Sequence, residues 1–312
     1  MNPSKKNKNQ YLKIKDNKYI LPKGEYFIKN PIIIPKGYNF VIEEGSILKM
    51  SKDSYIEIKD GSINFDGKKD MPIKIQSSET GTFWKGIYVS SKQKKMESKI
   101  NNVEISNIDF FDNSLIQLTG GINFYNSKVS INNSKFTNSI SEDAINLINS
   151  NFEINNIEIF NTKSDAIDFD FSSGNINEAT FKNISGDGLD FSGSKVNLSN
   201  INLNKVEDKG ISAGEKSSIN LYNLNISDAK IGIASKDSSS VIGEKISLKN
   251  CVWYDFASYK KKSYFKGGYM NLKKVSGCNK SMAQNKSLLI VNDSKIKTRK
   301  INIKDLYNGK YQ

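Results

Sequence analysis

The sequence of 312 residues predicts an all-β fold in which the chain winds as a regular coil, with three short strands in each turn. Two observations predict it. A short motif recurs at an interval of about 22 residues, and each interval holds three segments with apolar residues at alternate positions. Alternation with a period of two is typical of strands, because successive side chains point to opposite faces. A fixed period of this length indicates a solenoid.

The first strand of each turn carries the clearest repeat. Two of its copies read Asp-Ala-Ile-Asp-Phe, from Asp165, and Asp-Gly-Leu-Asp-Phe, from Asp187. The central apolar residues of six copies are spaced by 23, 22, 22, 22 and 22 residues, and they are Ile122, Ile145, Ile167, Leu189, Ile211 and Ile233. We expect each strand to pair in parallel with its equivalent in the next turn, about 4.8 Å away, so that inward side chains stack into one core.

The second and third strands repeat with the same period. The row of the second strand is Ile131, Ile154, Ile176, Leu198 and Leu221. The row of the third strand is Phe136, Ile159, Phe181, Leu203, Ile226, Leu248 and Met270. A two-residue corner rich in asparagine separates these strands, as in Asn132-Asn133 and Asn155-Asn156. Asparagine tolerates the left-handed conformation of a sharp corner, and its amide is expected to bond the equivalent residue one turn away.

The periodicity and the asparagine corners resemble those of the pectate-lyase-like superfamily, whose members are carbohydrate-binding or sugar-hydrolysing repeat proteins. The resemblance is clear over residues 98–272. It implies a single-stranded right-handed parallel β-helix over residues 19–272, after a polar basic arm at 1–18 and before a basic coil or cap at 273–312. A softer resemblance, over residues 208–215 and 231–237, is to β-helix segments of spore-coat-kinase-like bacterial surface proteins.

The composition excludes several chemistries. The chain has no histidine, and one of its 46 basic residues is an arginine, Arg299. Ser-His-Asp catalysis, Cys-His catalysis and histidine metal sites are therefore excluded. An arginine base would have to be Arg299. Lysine and aspartate remain as the candidates for chemistry.

Charge is unevenly distributed in a chain whose formal net charge is +13. Residues 137–230 carry 14 acidic and 7 basic side chains, whereas residues 251–312 carry 3 acidic and 14 basic ones. The basic end mixes lysines with aromatic residues between Tyr254 and Lys266. Three interpretations stay open: the aromatics close the end of the core, the segment binds an acidic polysaccharide, or, less favoured, it binds a nucleic acid strand.

Cysteines and apolar runs bear on the compartment. Cys251 and Cys278 are 27 residues apart, a little over one turn, so they are expected to form a disulfide between turns or to remain buried thiols. The longest apolar runs fall short of the roughly 20 residues of a membrane helix, and no secretory signal is visible. By fold analogy, we expect an extracellular or cell-surface location. The sequence does not predict an oligomeric state.

Aspartates of the first strand form the constellation best suited to chemistry. Alternation places Asp168 and Asp170 outward, and Asp190 lies one turn from Asp168. Asp168, Asp170 and Asp190 are candidate Ca²⁺ ligands, because carboxylates from adjacent turns suit this ion. Asp165, Asp168, Asp187 and Asp190 are the catalytic candidates, as a general acid and base on a glycosidic bond. A structural role also stays open, since aspartate often bonds backbone N–H groups where a turn enters a strand.

The resemblance implies that this strand lies in the sheet on which many superfamily members place calcium or catalytic aspartates. Lyase members generally use an arginine or lysine base beside calcium, and polygalacturonase-like members carry histidine- and arginine-containing motifs that this sequence lacks. A lysine base beside aspartate-bound calcium remains open.

Three functional hypotheses follow. The first is a polysaccharide-associated protein of the bacterial cell surface that binds an acidic glycan without catalysis and requires no cofactor. Its candidate binding residues are Lys163, Lys209, Tyr259, Lys260 and Lys261. The second is a polysaccharide lyase, hydrolase or epimerase that uses the aspartates, with or without Ca²⁺. The third is a structural or adhesin-like spike, which would be expected to assemble as a trimer.

Overall fold

The computed structural model of the protein describes residues 11–92, 96–277 and 280–308. The chain divides into two compact units, Met1–Ser164 and Asp165–Gln312. Each unit is a right-handed parallel β-helix, and between them the units contain about 12 turns of about 23 residues. The predicted fold class is therefore confirmed.

The strands of the first unit are short at its beginning and longer towards its end. They are β1 (Lys13–Lys15), β2 (Lys18–Leu21), β3 (Glu25–Ile28), β4 (Ile32–Ile34), β5 (Asn39–Ile42), β6 (Ile47–Met50), β7 (Ile56–Lys59), β8 (Ile63–Asp66), β9 (Ile73–Ser77), β10 (Ile87–Ser90), β11 (Glu97–Asn101), β12 (Val103–Ile108), β13 (Gly120–Tyr125), β14 (Lys128–Ser139), β15 (Asp143–Ile148) and β16 (Asn151–Thr162).

The second unit contains longer strands, several of which bend through a corner, and one short helix. These elements are β17 (Asp165–Asp170), β18 (Ser173–Ile184), β19 (Leu189–Ser192), β20 (Lys195–Gly214), β21 (Ser218–Lys236), β22 (Ser240–Lys249), β23 (Tyr254–Tyr259), β24 (Tyr269–Ser276), β25 (Ser281–Gln284), β26 (Leu288–Val291), β27 (Ser294–Lys295), β28 (Thr298–Arg299) and α1 (Ile303–Tyr307).

Strands pair in three parallel ladders, which we call sheets 1, 2 and 3 after the first, second and third strand of a turn. Sheet 1 of the second unit consists of β17, β19, the ends of β20 and β21, and then β23, β25 and β28. Its register follows the predicted row, because Ile167 pairs with Leu189, and Leu189 pairs with Ile211. Inward residues such as Phe169 and Phe191 are fully buried, with their rings stacked at 4.9 Å.

The predicted corner between sheets 2 and 3 is also confirmed. Asn133 and Asn156 have φ angles of 47° and 51°, in the left-handed region. Nδ2 of Asn156 donates to Oδ1 of Asn133 at 2.8 Å, and in the second unit Nδ2 of Asn223 donates to Oδ1 of Asn200 at 2.7 Å. Asparagine thus relieves the corner's backbone and also links successive turns.

The predicted third-strand row is wrong at its last member. Met270 pairs with Val241 in sheet 2, whereas Leu248 lies in sheet 3. The cause is the length of one loop. Residues 260–268 connect β23 to β24, whereas only residues 171 and 172 connect β17 to β18. The spacing from Leu248 to Met270 therefore matches the period without belonging to the repeat.

The C-terminal segment covers the outward face of sheet 1 in the last turns. Ala234, Ala257 and Met282 occupy outward positions, and they are buried in one hydrophobic cluster with Ile301 and Leu306. In earlier turns the same outward column holds aspartates and a serine. The change from acidic to apolar residues therefore accompanies a change from an open face to a covered one.

The structure does not test the predicted disulfide or the predicted domain boundaries. Cys251 is buried, but Cys278 lies outside the described residues, so the disulfide stays a prediction. The predicted boundaries at residues 18 and 272 also stay predictions. No helix in the described parts of the chain has the length and hydropathy needed to cross a membrane.

Candidate functional site

Three of the predicted aspartates come together at one edge of sheet 1 in the second unit. Carboxylate oxygens of Asp165, Asp187 and Asp190 lie within 4.8 Å of one another. The N–H of Asp187 donates to Oδ1 of Asp165 at 2.7 Å, and the N–H of Lys209 donates to Oδ1 of Asp187 at 2.9 Å. The repeat has thus copied a hydrogen bond from side chain to backbone, which supports the structural interpretation of this row.

Two buried lysines form ion pairs with two of these aspartates, Asp187 and Asp190. Nζ of Lys209 lies 3.1 Å from Oδ1 of Asp187 and 2.5 Å from Oδ2 of Asp208. Nζ of Lys236 lies 3.7 Å from Oδ1 of Asp190. We name the group the aspartate–lysine cluster; its members are Asp165, Asp187, Asp190, Lys209 and Lys236.

Burial and ion pairing shift the pKa values of the cluster in opposite directions. Burial alone would raise the pKa of Asp187, but the charges of Lys209 and Lys236 hold it below its ordinary value. Burial alone would lower the pKa of Lys209, but the charges of Asp187 and Asp208 raise it above its ordinary value. Near neutral pH, Asp187 is therefore ionised and Lys209 is protonated.

The carboxyl of Asp170 lies in a different electrostatic environment. Its pKa is raised, first by burial and then by the charges of Asp190 and Glu215, against which the charge of Lys262 acts. Asp168 lies in register with Asp190 in sheet 1. The Ca²⁺ site predicted at Asp168, Asp170 and Asp190 stays a prediction.

A second feature is the loop of residues 260–268, which we call the basic–aromatic loop. It reads Lys-Lys-Lys-Ser-Tyr-Phe-Lys-Gly-Gly. The side chain of Tyr264 is 76% exposed, and its ring centroid lies 4.7 Å from that of Phe265. Nζ of Lys216 lies 6.0 Å from the Phe265 centroid. Lysine ammonium groups and aromatic rings therefore share one exposed surface.

Hydrogen bonds hold the backbone of this loop. Oδ1 of Asp237, which is 1% exposed, accepts from the N–H groups of Lys261 and Lys262 at 2.7 and 2.8 Å. Oε1 of Gln284 accepts from the N–H of Lys260 at 2.7 Å. The loop is therefore anchored to the neighbouring turns on both sides.

The predicted binding residues lie in different environments. Lys260 and Lys261 belong to the basic–aromatic loop, whereas Lys209 belongs to the aspartate–lysine cluster. Tyr259 is fully buried, so its ring cannot stack on a sugar in this conformation. Lys163 is an exposed residue of the first unit.

The sequence analysis missed two residues beside these features. Lys236 was not identified as a partner of the aspartates. Tyr307, on α1, places its ring 5.8 Å from Nζ of Lys209 and 5.3 Å from Nζ of Lys261, and its hydroxyl lies 2.9 Å from that of Tyr259. The sequence contained one signal that the C-terminal segment covers sheet 1. In the outward positions of successive turns, Asp168, Asp190 and Ser212 are followed by an alanine, Ala234, which suits a covered surface.

We predicted that the aromatics of the basic end close the end of the core, but β25 and β28 continue sheet 1 beyond them, and the aromatics are divided between buried and exposed positions. Tyr254, Phe256 and Tyr259 are buried, whereas Tyr264 is exposed. The alternating aromatics of β23 therefore fill space around sheet 1, and those of the following loop face solvent.

No family profile and no curated protein matches the sequence. Several solved structures are nevertheless similar to the structure of this chain. A double mutant of the periplasmic alginate epimerase AlgG is 12% identical, with 96% of this chain and 82% of that chain covered and a TM-score of 0.51. The two chains share the parallel β-helix fold.

Two further structures are similar at lower scores. An alginate lyase from Paenibacillus is 9% identical, with 78% of this chain and 93% of that chain covered and a TM-score of 0.40. The catalytic domain of a GH87 α-1,3-glucanase in complex with nigerose is 12% identical, with a TM-score of 0.44. The match covers 88% of this chain and 60% of that glucanase chain.

Proposed function

We propose that the protein binds an acidic polysaccharide through the basic–aromatic loop, and that it does so without catalysis. One observation carries the proposal: an exposed ring, Tyr264, is flanked in the chain by the lysines of a loop whose backbone is anchored. Lysine attracts the carboxylates of such a polymer, and an aromatic face packs against the C–H groups of a sugar ring. An anchored loop loses little conformational entropy on binding.

Part of the charge of the loop is available to a ligand, although Nζ of Lys261 lies over the ring of Tyr307. Lys262 pairs with Glu215, while no ion pair within the described residues involves Lys260 or Lys266. Connections between strands lie on the surface and often carry function, and this one is longer than the equivalent connection between β17 and β18. In support, the AlgG double mutant that shares the fold is an alginate epimerase, which is named for an acidic polysaccharide.

The pKa directions argue against catalysis by the aspartate–lysine cluster. A lyase or epimerase needs a base that can accept a proton, but the pKa of Lys209 is raised by Asp187 and Asp208. A hydrolase needs a carboxylic acid that can donate a proton, but Asp187 stays ionised. Both residues are therefore poorly suited to these roles.

Asp170 favours a second candidate function, a polysaccharide-cleaving or -epimerising enzyme. Its raised pKa is what a general acid requires. Turnover of polygalacturonate or alginate, lost in Asp170→Asn, would establish this candidate in place of binding without catalysis. Cleavage is followed by the absorbance of unsaturated products and by reducing ends, and epimerisation by the NMR signals of the C5 epimers.

The location that we propose is outside the cytoplasm, at a bacterial cell surface. Extracellular polysaccharides are accessible there, and the AlgG double mutant of similar fold is periplasmic. The lysine-rich loop would act at that surface by holding an acidic polymer.

Affinity electrophoresis in gels that contain polygalacturonate tests the binding proposal. We expect the wild-type protein to be retarded, and Tyr264→Ala and the double variant Lys261→Ala/Lys266→Ala to bind about tenfold more weakly each, as a loss of about 1.4 kcal/mol predicts. The matched control is Lys182→Ala/Lys249→Ala, which removes two exposed lysines from sheet 3. Equal loss of binding in control and loop variants would show non-specific charge attraction and contradict the proposal.

A further inference from the structure

The corner between sheets 1 and 2 holds an unusual residue in the first turn of the second unit. In the turns that join sheets 1 and 2 by a short corner, this corner contains a residue with a positive φ angle. In the second unit the angles are 50° at Phe171, 63° at Gly193, 57° at Glu215 and 53° at Asp237. Asn126 and Asn149 have the corresponding conformation in the first unit. Glycine, asparagine and aspartate are common in this region, whereas a bulky aromatic residue is an outlier there.

Burial does not compensate for the strain at this residue. The side chain of Phe171 is 64% exposed, so its ring gains little from the core. The ring instead lies over Gly193, its counterpart one turn later. A Cβ added to that glycine would lie 2.7 Å from Cδ1 of Phe171, closer than carbon atoms approach. Gly193 thus leaves space for a ring that rests on the surface of the β-helix.

Charged residues lie along the same corner. Asp170 precedes Phe171 in the chain, and Glu215, at the same corner two turns later, pairs with Lys262. A single aromatic ring among carboxylates is too small an apolar surface for a stable protein interface, which needs about 1,000 Å² of buried area. It suits one sugar ring, because the C–H face of a pyranose packs on the aromatic face while its hydroxyls donate to the carboxylates.

We infer that Phe171 is a stacking platform for an uncharged pyranose unit of the glycan that the basic–aromatic loop holds. The inference rests on the proposed function. Phe171 lies four turns before this loop, roughly 19 Å away at about 4.8 Å per turn, which is within reach of a short oligosaccharide. The unit on Phe171 is uncharged, because the carboxylate of Asp170, the preceding residue, would repel a uronate carboxylate, whereas Glu215 is already paired with Lys262. The glycan that fits both ends therefore contains neutral and acidic units.

Two polymers distinguish binding at Phe171 from binding at the basic–aromatic loop. Polygalacturonate is acidic at every unit, whereas hyaluronan alternates a uronate with a neutral pyranose. Phe171→Asn keeps a residue that tolerates the corner and removes the ring, Phe171→Trp keeps a ring, and Tyr222→Asn is the control at another exposed aromatic residue. We expect Phe171→Asn to weaken hyaluronan binding about tenfold and polygalacturonate binding less than about twofold. Phe171→Trp and the control should bind both as the wild type does.

Thermal unfolding provides a readout that a merely structural role would move in the opposite direction. Phe171→Asn should raise the midpoint temperature by about 2 °C, because the strained residue is replaced by one that tolerates the corner. Hyaluronan binding unchanged in Phe171→Asn, or a lowered midpoint temperature, would overturn the inference alone. Loop variants without effect, beside a loss in Phe171→Asn, would overturn the proposed function alone. A wild-type protein that binds neither polymer would overturn both.

Discussion

The aspartate–lysine cluster and the basic–aromatic loop are built from similar residues but differ in burial. In the cluster, the side chains of Lys209 and Asp187 are 4% and 7% exposed, and their charges are paired. In the loop, the ring of Tyr264 faces solvent among lysines. Charges that are buried and paired hold a structure together, whereas anchored and exposed charges are available to a ligand. The comparison teaches that burial, and not residue type, separates the two roles.

The largest expected effect on the free energy of unfolding is at the buried ion pair of Lys209 and Asp187. Lys209→Met should lower the free energy of unfolding by about 3 to 5 kcal/mol, because Asp187 would remain as a buried charge without its principal partner. Urea denaturation measures it. The double variant Lys209→Met/Asp187→Leu should recover part of the loss, and Lys249→Met, at an exposed position, should change stability by less than about 0.5 kcal/mol. A loss no larger than that of Lys249→Met would remove the structural role of the cluster.

The pH dependence of this pair has a defined window. Asp187 has a lowered pKa, so its stabilisation is present above its unfolded value of about 3.9 and is lost as pH falls through the folded value. Lys209 has a raised pKa, so its stabilisation is present below about 10.4 and is lost as pH rises through the folded value. The destabilisation by Lys209→Met should therefore be constant between about pH 5 and 9.

Ionic strength should affect glycan binding by the loop more than it affects the stability of the aspartate–lysine cluster. The expected change is smaller than that of Lys209→Met. Raising the ionic strength from about 0.1 M to 1 M shortens the screening length from about 10 Å to 3 Å. Polygalacturonate binding by the exposed loop should weaken at least tenfold, while the cost of Lys209→Met should change by less than about 1 kcal/mol. Isothermal titration calorimetry and urea denaturation in the same buffers provide the two measurements. Equal sensitivity to salt would show that the two regions do not differ in solvent access.

The smallest effect is expected at Asp170. Its pKa is raised by burial and by Asp190 and Glu215, so ionisation costs stability as pH rises above the ordinary value. Asp170→Asn should raise the free energy of unfolding by up to about 1 kcal/mol at pH 7 and leave it unchanged near pH 3. A loss of stability at pH 7 would mean that the ionised carboxylate makes a favourable contact, and would withdraw the argument for its raised pKa.

The sequence predicted the parts of the structure that the repeat controls. Period and alternation are sufficient for strand order, inward residues and left-handed asparagine corners, so Ile167, Leu189 and Asn156 lie where expected. The approach of Asp165 to Asp187 also follows from the spacing of one turn.

The remaining features depend on contacts outside the repeat. The loop at 260–268 displaced Met270 from its predicted row, because spacing alone does not reveal an insertion whose length restores the period. Tyr307 returns from α1 to the rings and charges beside Tyr259, and no local pattern specifies that return. Phe171 could have been found, since aligning the corners places it among asparagine, glycine and acidic residues.

The central claim is that an acidic glycan binds at the basic–aromatic loop and not at the aspartate–lysine cluster. An NMR titration of the protein with oligogalacturonate tests it most directly, through the backbone amide signals of both regions. We predict saturable shifts at Tyr264, Gly267 and Gly268, with those of Gly188 and Gly210, adjacent to the cluster, unchanged. Shifts confined to Gly188 and Gly210, with the loop signals unmoved, would contradict the account.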